Sequence, residues 1–131
     1  MKLEHVAIWT HRLENLKDFY VRYFNATSNE KYVSENGFES YFMSFDTGAR
    51  LELMKMQCIP QGDNADGFQS TGLIHIAFSV DAPNDLDQLY SRLKEDGNPI
   101  VGEPRITGDG YYEACVLDPD GNRVEITVTP Q

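Results

Sequence analysis

Two histidines and two glutamates are the side chains in this sequence best suited to bind a metal ion. They are His5, Glu52, His75 and Glu125, so that one histidine and one glutamate of the set fall in each half of the chain. Neutral imidazoles and carboxylates are ligands for Zn²⁺, Ni²⁺, Co²⁺, Mn²⁺ and Fe²⁺. Because an internal carboxylate is costly unless it is paired or coordinated, one divalent cation would satisfy all four groups on a concave sheet face. These residues are therefore the predicted metal ligands.

The four residues stand at equivalent positions of an internal repeat. A shift of 70 places His5 on His75, and a shift of 73 places Glu52 on Glu125. The same shifts align Leu16 with Leu86, Tyr20 with Tyr90, Arg22 with Arg92, Gly48 with Gly121 and Arg50 with Arg123. A single histidine or glutamate on a strand is more often a hydrogen-bonded or solvated side chain than a ligand. The shared register of all four favours a site over chance similarity.

Apolar neighbours predict which way the glutamates point. Leu51 and Leu53 flank Glu52, and Val124 and Ile126 flank Glu125. Successive side chains of a strand point to opposite faces, so the apolar neighbours are expected under a helix and the glutamates on the other face.

Each half of the chain predicts one strand, one helix and then three strands. In the first module, residues 1–56, strands are predicted at 1–10, 31–34, 38–45 and 50–56. Its helix has an apolar face made of Leu13, Leu16, Phe19, Tyr20, Tyr23 and Phe24. Residues 57–71 predict a linker rich in Pro, Gly, Asn and Asp. The second module, residues 72–131, predicts strands at 72–80, from 100 to near 104, 112–117 and 123–129, and a helix over 84–96. We expect one single α+β domain, residues 1–131, of two βαβββ modules.

Composition and charge exclude several classes of protein. The 131 residues fit one ordinary domain, and 11 basic against 21 acidic residues give a net charge of −10. This balance argues against nucleic acid or an anionic membrane surface as the partner. The two cysteines, Cys58 and Cys115, form no CxxC motif and predict free thiols in a reducing compartment. With no apolar run long enough for a signal peptide or a membrane span, we expect a cytoplasmic protein that acts on a small molecule.

Four segments of the sequence resemble the vicinal oxygen chelate superfamily, which includes glyoxalases, bleomycin resistance proteins and dioxygenases. They are LEHVAIWTHRLENLKDFY at 3–20, LEL at 51–53, GLIHIAFSV at 72–80 and LDPDGNRVEI at 117–126. The resemblance covers nearly the whole chain. It implies a glyoxalase-like fold in which the paired βαβββ modules form an open, barrel-like curled sheet around a metal.

Within that superfamily, the predicted ligands are most similar to those of metal-dependent glyoxalase I, or lactoylglutathione lyase. These enzymes have His, Glu, His and Glu at the four places. Methylmalonyl-CoA epimerases usually have Gln in place of Glu52, dioxygenases and fosfomycin thiol transferases use three protein ligands, and bleomycin-binding members lack the set. The resemblance implies Zn²⁺ or Ni²⁺ as the cofactor, with Co²⁺, Mn²⁺ and Fe²⁺ as alternatives.

The resemblance also implies a reaction. A lyase or isomerase of glyoxalase I type removes a proton from a hemithioacetal-like substrate through a metal-stabilised enediolate, and a ligating carboxylate acts as the base. Glu125 is the predicted catalytic base and Glu52 its symmetric counterpart. Two alternatives stay open: a metal-dependent epimerase or thiol transferase of the same superfamily, and a non-catalytic protein that binds a small molecule. The resemblance further implies a homodimer, with the metal site inside one chain or across two.

Two departures from glyoxalase I concern the substrate. Trp9 stands where these enzymes have an arginine that contacts glutathione, and residues 104–110 replace their lysine–glycine loop. Arg105 in that segment predicts either contact with an anionic substrate group or a solvated charge. Trp9 and Tyr111 predict either the lining of a substrate cavity or packing in the core.

Overall fold

The chain divides into two compact units, each built from one helix and one mixed sheet. The computed structural model describes residues 1–62 and 69–130, and the units are Met1–Asp63 and Asn64–Gln131. We call them unit 1 and unit 2. The predicted linker 57–71 includes residues 63–68, which lie outside the described residues. Among the helices of the described residues, none is long and apolar enough to cross a membrane.

Unit 1 is a five-stranded sheet with one helix packed on it. Its elements are β1 (His5–Trp9), α1 (Leu13–Phe24), β2 (Thr27–Ser28), β3 (Tyr32–Val33), β4 (Glu39–Ser44) and β5 (Arg50–Lys55). The strand order is β1-β5-β4-β2, with β3 paired to β4, and β1 runs parallel to β5. The apolar face of α1 packs on β4 and β5 and buries Leu16 and Leu53 completely. The face of β5 away from the helix is therefore left to Glu52.

Unit 2 repeats this architecture with one strand fewer. Its elements are β6 (His75–Ser79), α2 (Pro83–Glu95), β7 (Ile100–Ile106), β8 (Tyr112–Leu117) and β9 (Arg123–Val128). The strand order is β6-β9-β8-β7, and β6 runs parallel to β9. Five core side chains of this unit have no exposed surface: Leu86, Leu93, Val116, Val124 and Ile126. The two units confirm the predicted α+β fold of two βαβββ modules, to which unit 1 adds the short strand β2.

The ends of the helices follow local signals in the sequence. Asn25 adopts a left-handed conformation with φ 55° at the end of α1, as its position after the last apolar residue predicts. At the start of α2, Pro83 occupies the first turn, and the carboxylate of Asp85 accepts a hydrogen bond from the N–H of Ala82.

Strand β7 differs from its prediction because it continues through Pro104. Pro lacks an N–H and is expected to end the strand, but β7 lies at the edge of its sheet, where no further strand of the described residues needs that donor. Its pairing with β8 also shifts register between Ile100 and Arg105. The strand therefore reaches Ile106 and carries Arg105 within the sheet instead of in a loop.

One buried hydroxyl yields a stability prediction. Within the described residues, the buried Tyr90 hydroxyl has no hydrogen-bond partner. Replacing Tyr90 by Phe is expected to raise the free energy of unfolding by about 1 kcal/mol, since an unsatisfied buried polar group costs roughly 1–3 kcal/mol. The matched control is Tyr41→Phe, because the Tyr41 hydroxyl donates to Glu14 at 3.0 Å. We expect Tyr41→Phe to lower the free energy of unfolding by about 1 kcal/mol. Urea unfolding measures both, and a Tyr90→Phe variant less stable than the parent would contradict the assignment.

Candidate functional site

In unit 1, parallel pairing of β1 with β5 brings His5 and Glu52 together. Ala7 is the register partner of Glu52, and His5 lies two residues earlier on the same face. His5 Nε2 is 3.7 Å from Glu52 Oε1, and the Glu52 side chain is 16% exposed. The predicted orientation of Glu52, opposite the buried Leu51 and Leu53, is therefore observed.

In unit 2, the same pairing brings His75 and Glu125 together. Ala77 is the register partner of Glu125 across β6 and β9. His75 Nε2 is 3.4 Å from Glu125 Oε1, and the Glu125 side chain is 20% exposed. The two pairs are built alike, and in each an alanine is the register partner of the glutamate.

The atoms of each pair suit a shared cation. Zn²⁺ lies about 2.1 Å from an imidazole nitrogen or a carboxylate oxygen, so two tetrahedral ligands of one ion are about 3.4 Å apart. The observed separations are 3.7 Å in unit 1 and 3.4 Å in unit 2. An imidazole and a carboxylate are also the right donor types for the divalent ions that the sequence predicts.

Each unit supplies a pair of donors and not a complete site. Across residues 1–62 and 69–130, no group of three or more His, Cys, Asp or Glu side chains is arranged to hold a metal ion. The four-residue ligand set therefore stays a prediction.

Burial and neighbouring charges act on Glu125. Removal from solvent raises the pKa of its carboxyl group, the adjacent His75 lowers it, and the nearby carboxylate of Glu113 raises it again. A smaller lowering comes from Arg105, and the net effect is a pKa above the usual range for glutamate. A carboxylate with a raised pKa is a stronger base than an ordinary surface glutamate.

The predicted substrate residues lie in two places. Trp9 is on the same face of β1 as His5, 44% exposed, with its ring edge-on to Phe38 at 6.1 Å. In unit 2, Arg105 Nη2 is 3.4 Å from Glu113 Oε1, with the Arg105 side chain 70% exposed. Tyr111 is exposed at a turn, where its N–H donates to Thr107 Oγ1. Their roles in substrate binding stay predictions.

The predicted site residues do not include several side chains that lie around the two pairs. Glu4, Arg50 and Phe42 contact one another or His5 in unit 1. In unit 2, Cys115 is the register partner of Glu125 and stands where unit 1 has Phe42. Comparing the two modules position by position singles out Glu4 and Phe42, because unit 2 has Ile74 and Cys115 at those positions, whereas Arg50 is matched by Arg123.

The environment of Cys115 predicts unequal thiol reactivity. Burial first, and the charge of Glu125 second, raise the pKa of Cys115 to about 11, whereas Cys58 is exposed. Since the thiolate is the reactive form, about 0.1% of Cys115 is reactive at pH 8. A disulfide reagent should therefore modify one thiol per chain rapidly, and Cys58→Ser should remove that phase while Cys115→Ser leaves it. Two thiols reacting at equal rates would contradict this environment.

The chain belongs to the Glyoxalase/Bleomycin resistance protein/Dioxygenase superfamily, whose family model matches residues 2–126. It is 30% identical over 130 residues to biphenyl-2,3-diol 1,2-dioxygenase 2 of Rhodococcus globerulus, covering 97% of this chain and 62% of that enzyme. The chain thus spans less than two thirds of the length of this relative.

Solved structures of low sequence identity show the same fold. A glyoxalase/bleomycin resistance protein/dioxygenase domain from Frankia sp. EAN1pec superimposes with a TM-score of 0.80 at 18% identity, over 98% of this chain and 97% of that one. The trypanothione-dependent glyoxalase I of Leishmania major gives a TM-score of 0.74 at 21% identity, over 96% and 85% of the two chains. The expected glyoxalase-like fold is confirmed. The superfamily includes two kinds of enzyme, glyoxalases and dioxygenases.

Proposed function

We propose that this protein is a divalent-metal-dependent lyase or isomerase of glyoxalase I type acting on a hemithioacetal-like substrate. The observation that supports the proposal is the presence of one His–Glu pair in each unit, in the same strand register and with similar separations. The proposed ligands are His5, Glu52, His75 and Glu125, contributed by one chain or by two copies in a homodimer. We propose Zn²⁺ or Ni²⁺ as the bound ion.

The residues of unit 2 can move the proton that this reaction requires. A divalent cation held by the four ligands would supply the Lewis acidity that makes a C–H bond beside a carbonyl acidic. Glu125 takes that proton on a carboxylate oxygen and delivers it to the adjacent carbon. Together with transfer of the hydroxyl proton to the former carbonyl oxygen, this converts a hemithioacetal into its isomer, a 2-hydroxyacyl thioester. His75, 3.4 Å away, and the packed neighbours Val124 and Ile126 fix the position of that carboxylate.

The side chains proposed to meet the substrate favour a thiol other than glutathione. Trp9 places an exposed indole on the face that carries His5, where it offers an apolar surface and no positive charge. Arg105, 70% exposed, is free to exchange Glu113 for an anionic group of the substrate. Tyr111, exposed at the turn before β8, would contact the same part of the substrate.

Turnover measurements test the proposal. The purified protein is incubated with methylglyoxal, a panel of low-molecular-weight thiols, and Zn²⁺, Ni²⁺, Co²⁺ or Mn²⁺ in turn. We expect a 2-hydroxyacyl thioester to form with at least one pairing of thiol and metal. No thioester with any pairing would exclude the glyoxalase reaction. Deuterium exchange into an acyl-CoA would then identify the epimerase, and thiol addition to an epoxide would identify the transferase. Binding without turnover would identify a small-molecule-binding protein.

The relative from Rhodococcus globerulus favours a second candidate, the oxidative cleavage of an aromatic diol. Non-haem Fe²⁺ oxygenases use two histidines and one carboxylate and keep the other positions open. His5, His75 and Glu125 would suffice for that set, and Glu52 would be surplus. Biphenyl-2,3-diol with Fe²⁺ and oxygen tests this candidate, and Glu52→Ala discriminates, since an oxygenase would keep its metal whereas the four-ligand lyase would bind metal more weakly.

The proposed location of the protein is the cytoplasm, and its proposed assembly is a homodimer. The two cysteines are free, which is consistent with a cytoplasmic protein in a reducing compartment. We propose a homodimer that acts on a small molecule, and the net charge of −10 argues against nucleic acid as a partner.

A further inference from the structure

His5 has a carboxylate partner on each of its two ring nitrogens. Nε2 lies 3.7 Å from Oε1 of Glu52, and Nδ1 lies 2.5 Å from Oε2 of Glu4. An ionised carboxylate only accepts hydrogen bonds, so Nδ1 must carry the proton in the contact with Glu4. In the neutral imidazole the lone pair is then on Nε2, which is the atom that faces Glu52.

Arg50 holds Glu4 in this position. Its guanidinium contacts the second carboxylate oxygen of Glu4, and its backbone N–H donates to the Glu4 carbonyl at 2.9 Å. The guanidinium carbon also lies 4.1 Å from the centroid of the Phe42 ring, and Phe42 meets the His5 ring edge-on at 5.4 Å. The imidazole of His5 is therefore restrained both at Nδ1 and along its ring.

Unit 2 lacks this support at the equivalent positions. Ile74 precedes His75 where Glu4 precedes His5, and Cys115 replaces Phe42. Arg123 is retained at the register position of Arg50. The repeat is thus symmetric in its His–Glu pairs and asymmetric in what orients the histidine.

We propose that Glu4 is a positioning residue that fixes His5 in the tautomer protonated on Nδ1 and aims Nε2 at the metal position beside Glu52. This inference rests on the proposed function for the identity of the ligand. Histidines that bind metals commonly donate their other ring N–H to a carboxylate, and loss of such a partner lowers metal affinity by about 10- to 100-fold. Of the two histidines His5 and His75, His5 is accordingly the one whose ring is already oriented to bind the metal.

A structural role for Glu4 would give a different result. The Glu4 side chain is 50% exposed, and exposed ion pairs contribute little to folding stability. Replacing Glu4 should therefore leave the thermal melting temperature nearly unchanged but change the tautomer of His5. Ile is the informative substitution, because Ile74 occupies the same position of the repeat without disturbing β6.

The experiment compares the parent protein with Glu4→Ile, Glu4→Gln and the control Glu35→Gln, which removes an exposed carboxylate of the same unit. Nitrogen NMR of the imidazoles in the metal-free proteins, at a pH where they are neutral, reports the tautomer of each histidine. A competition titration with Zn²⁺ and a chromophoric chelator reports affinity. We expect Glu4→Ile to move His5 toward the Nε2-protonated tautomer and to weaken Zn²⁺ binding about 10- to 100-fold. For Glu4→Gln, the His5 tautomer and the Zn²⁺ affinity should lie between those of Glu4→Ile and the parent. Glu35→Gln should match the parent in both measurements, and the His75 signal should be the same in every variant.

The outcomes separate this inference from the proposed function. An unchanged His5 tautomer in Glu4→Ile, or a changed tautomer with unchanged Zn²⁺ affinity, would overturn the role of Glu4. If the parent protein binds no divalent ion, the proposed function fails, and the role of Glu4 in ligand positioning fails with it whatever the tautomer. If the parent binds Zn²⁺ but turns over no substrate, the Glu4 variants still decide the inference.

Discussion

Replacing Glu125 by glutamine is expected to lower the turnover number of the proposed lyase by about 10²- to 10⁴-fold, the usual contribution of a positioned general base. Glutamine keeps the size and the oxygen of the side chain but cannot accept a proton near neutral pH. The Glu125 carboxylate is half-buried beside His75 at 3.4 Å, so the substitution changes a chemical group and leaves the β9 strand intact. Steady-state kinetics with the active thiol and metal measure the effect.

The control for this experiment is Glu103→Gln, which also neutralises a carboxylate of unit 2. Glu103 is 77% exposed and lies 3.8 Å from Lys94, on the surface of the unit. We expect its turnover number to stay within about twofold of the parent, as surface substitutions seldom matter. A Glu125→Gln variant as active as Glu103→Gln would show that Glu125 is not the base, and Glu52→Gln would then be examined as its symmetric counterpart.

Replacing Ile126 by alanine is expected to lower the free energy of unfolding by about 2–5 kcal/mol. Ile126 has no exposed surface, and it follows Glu125 on β9, so its side chain packs beneath α2 while the glutamate points the other way. Truncation leaves a cavity in the core that holds the strand in place.

Ile106→Ala is the matched control, since it removes the same atoms from an isoleucine that is 77% exposed. We expect a change within about 0.5 kcal/mol for this variant. Urea denaturation followed by circular dichroism measures both. Equal losses at the two positions would contradict the assignment of Ile126 to the core.

Strands with alternating polarity were predicted well from the sequence, because alternating apolar and polar residues indicate both a strand and the face that it buries. Strand β8 was predicted at 112–117 and observed at Tyr112–Leu117, and β9 differed by one residue at its end. The two-residue strand Thr27–Ser28 was missed, since so short a segment has no periodicity to detect. The course of β7 through Pro104 depends on its place at the sheet edge, which is a property of the topology.

The His–Glu pairs could be predicted because the repeat marks them twice. The contacts around the two pairs could not be predicted from the sequence. For example, Glu4 contacts Arg50 and His5 only because β1 and β5, which are about 45 residues apart in sequence, pair in parallel. The raised pKa of Glu125 likewise depends first on burial of its carboxyl group and then on the neighbouring strand that brings Glu113 near. The Glu4 contacts and the raised pKa of Glu125 both arise from tertiary packing, which local sequence patterns do not reveal.

The stoichiometry and affinity of metal binding test most directly the central claim that both pairs serve one ion. Equilibrium dialysis with Zn²⁺ is carried out on the parent and on the Glu52→Ala and Glu125→Ala variants, with Glu103→Gln as control. We predict one ion per chain in the parent, and weaker binding of that single ion in either alanine variant, because each removes a ligand of the same site. Two ions per chain, with one retained at full affinity in each variant, or no tightly bound ion at all, would contradict the account.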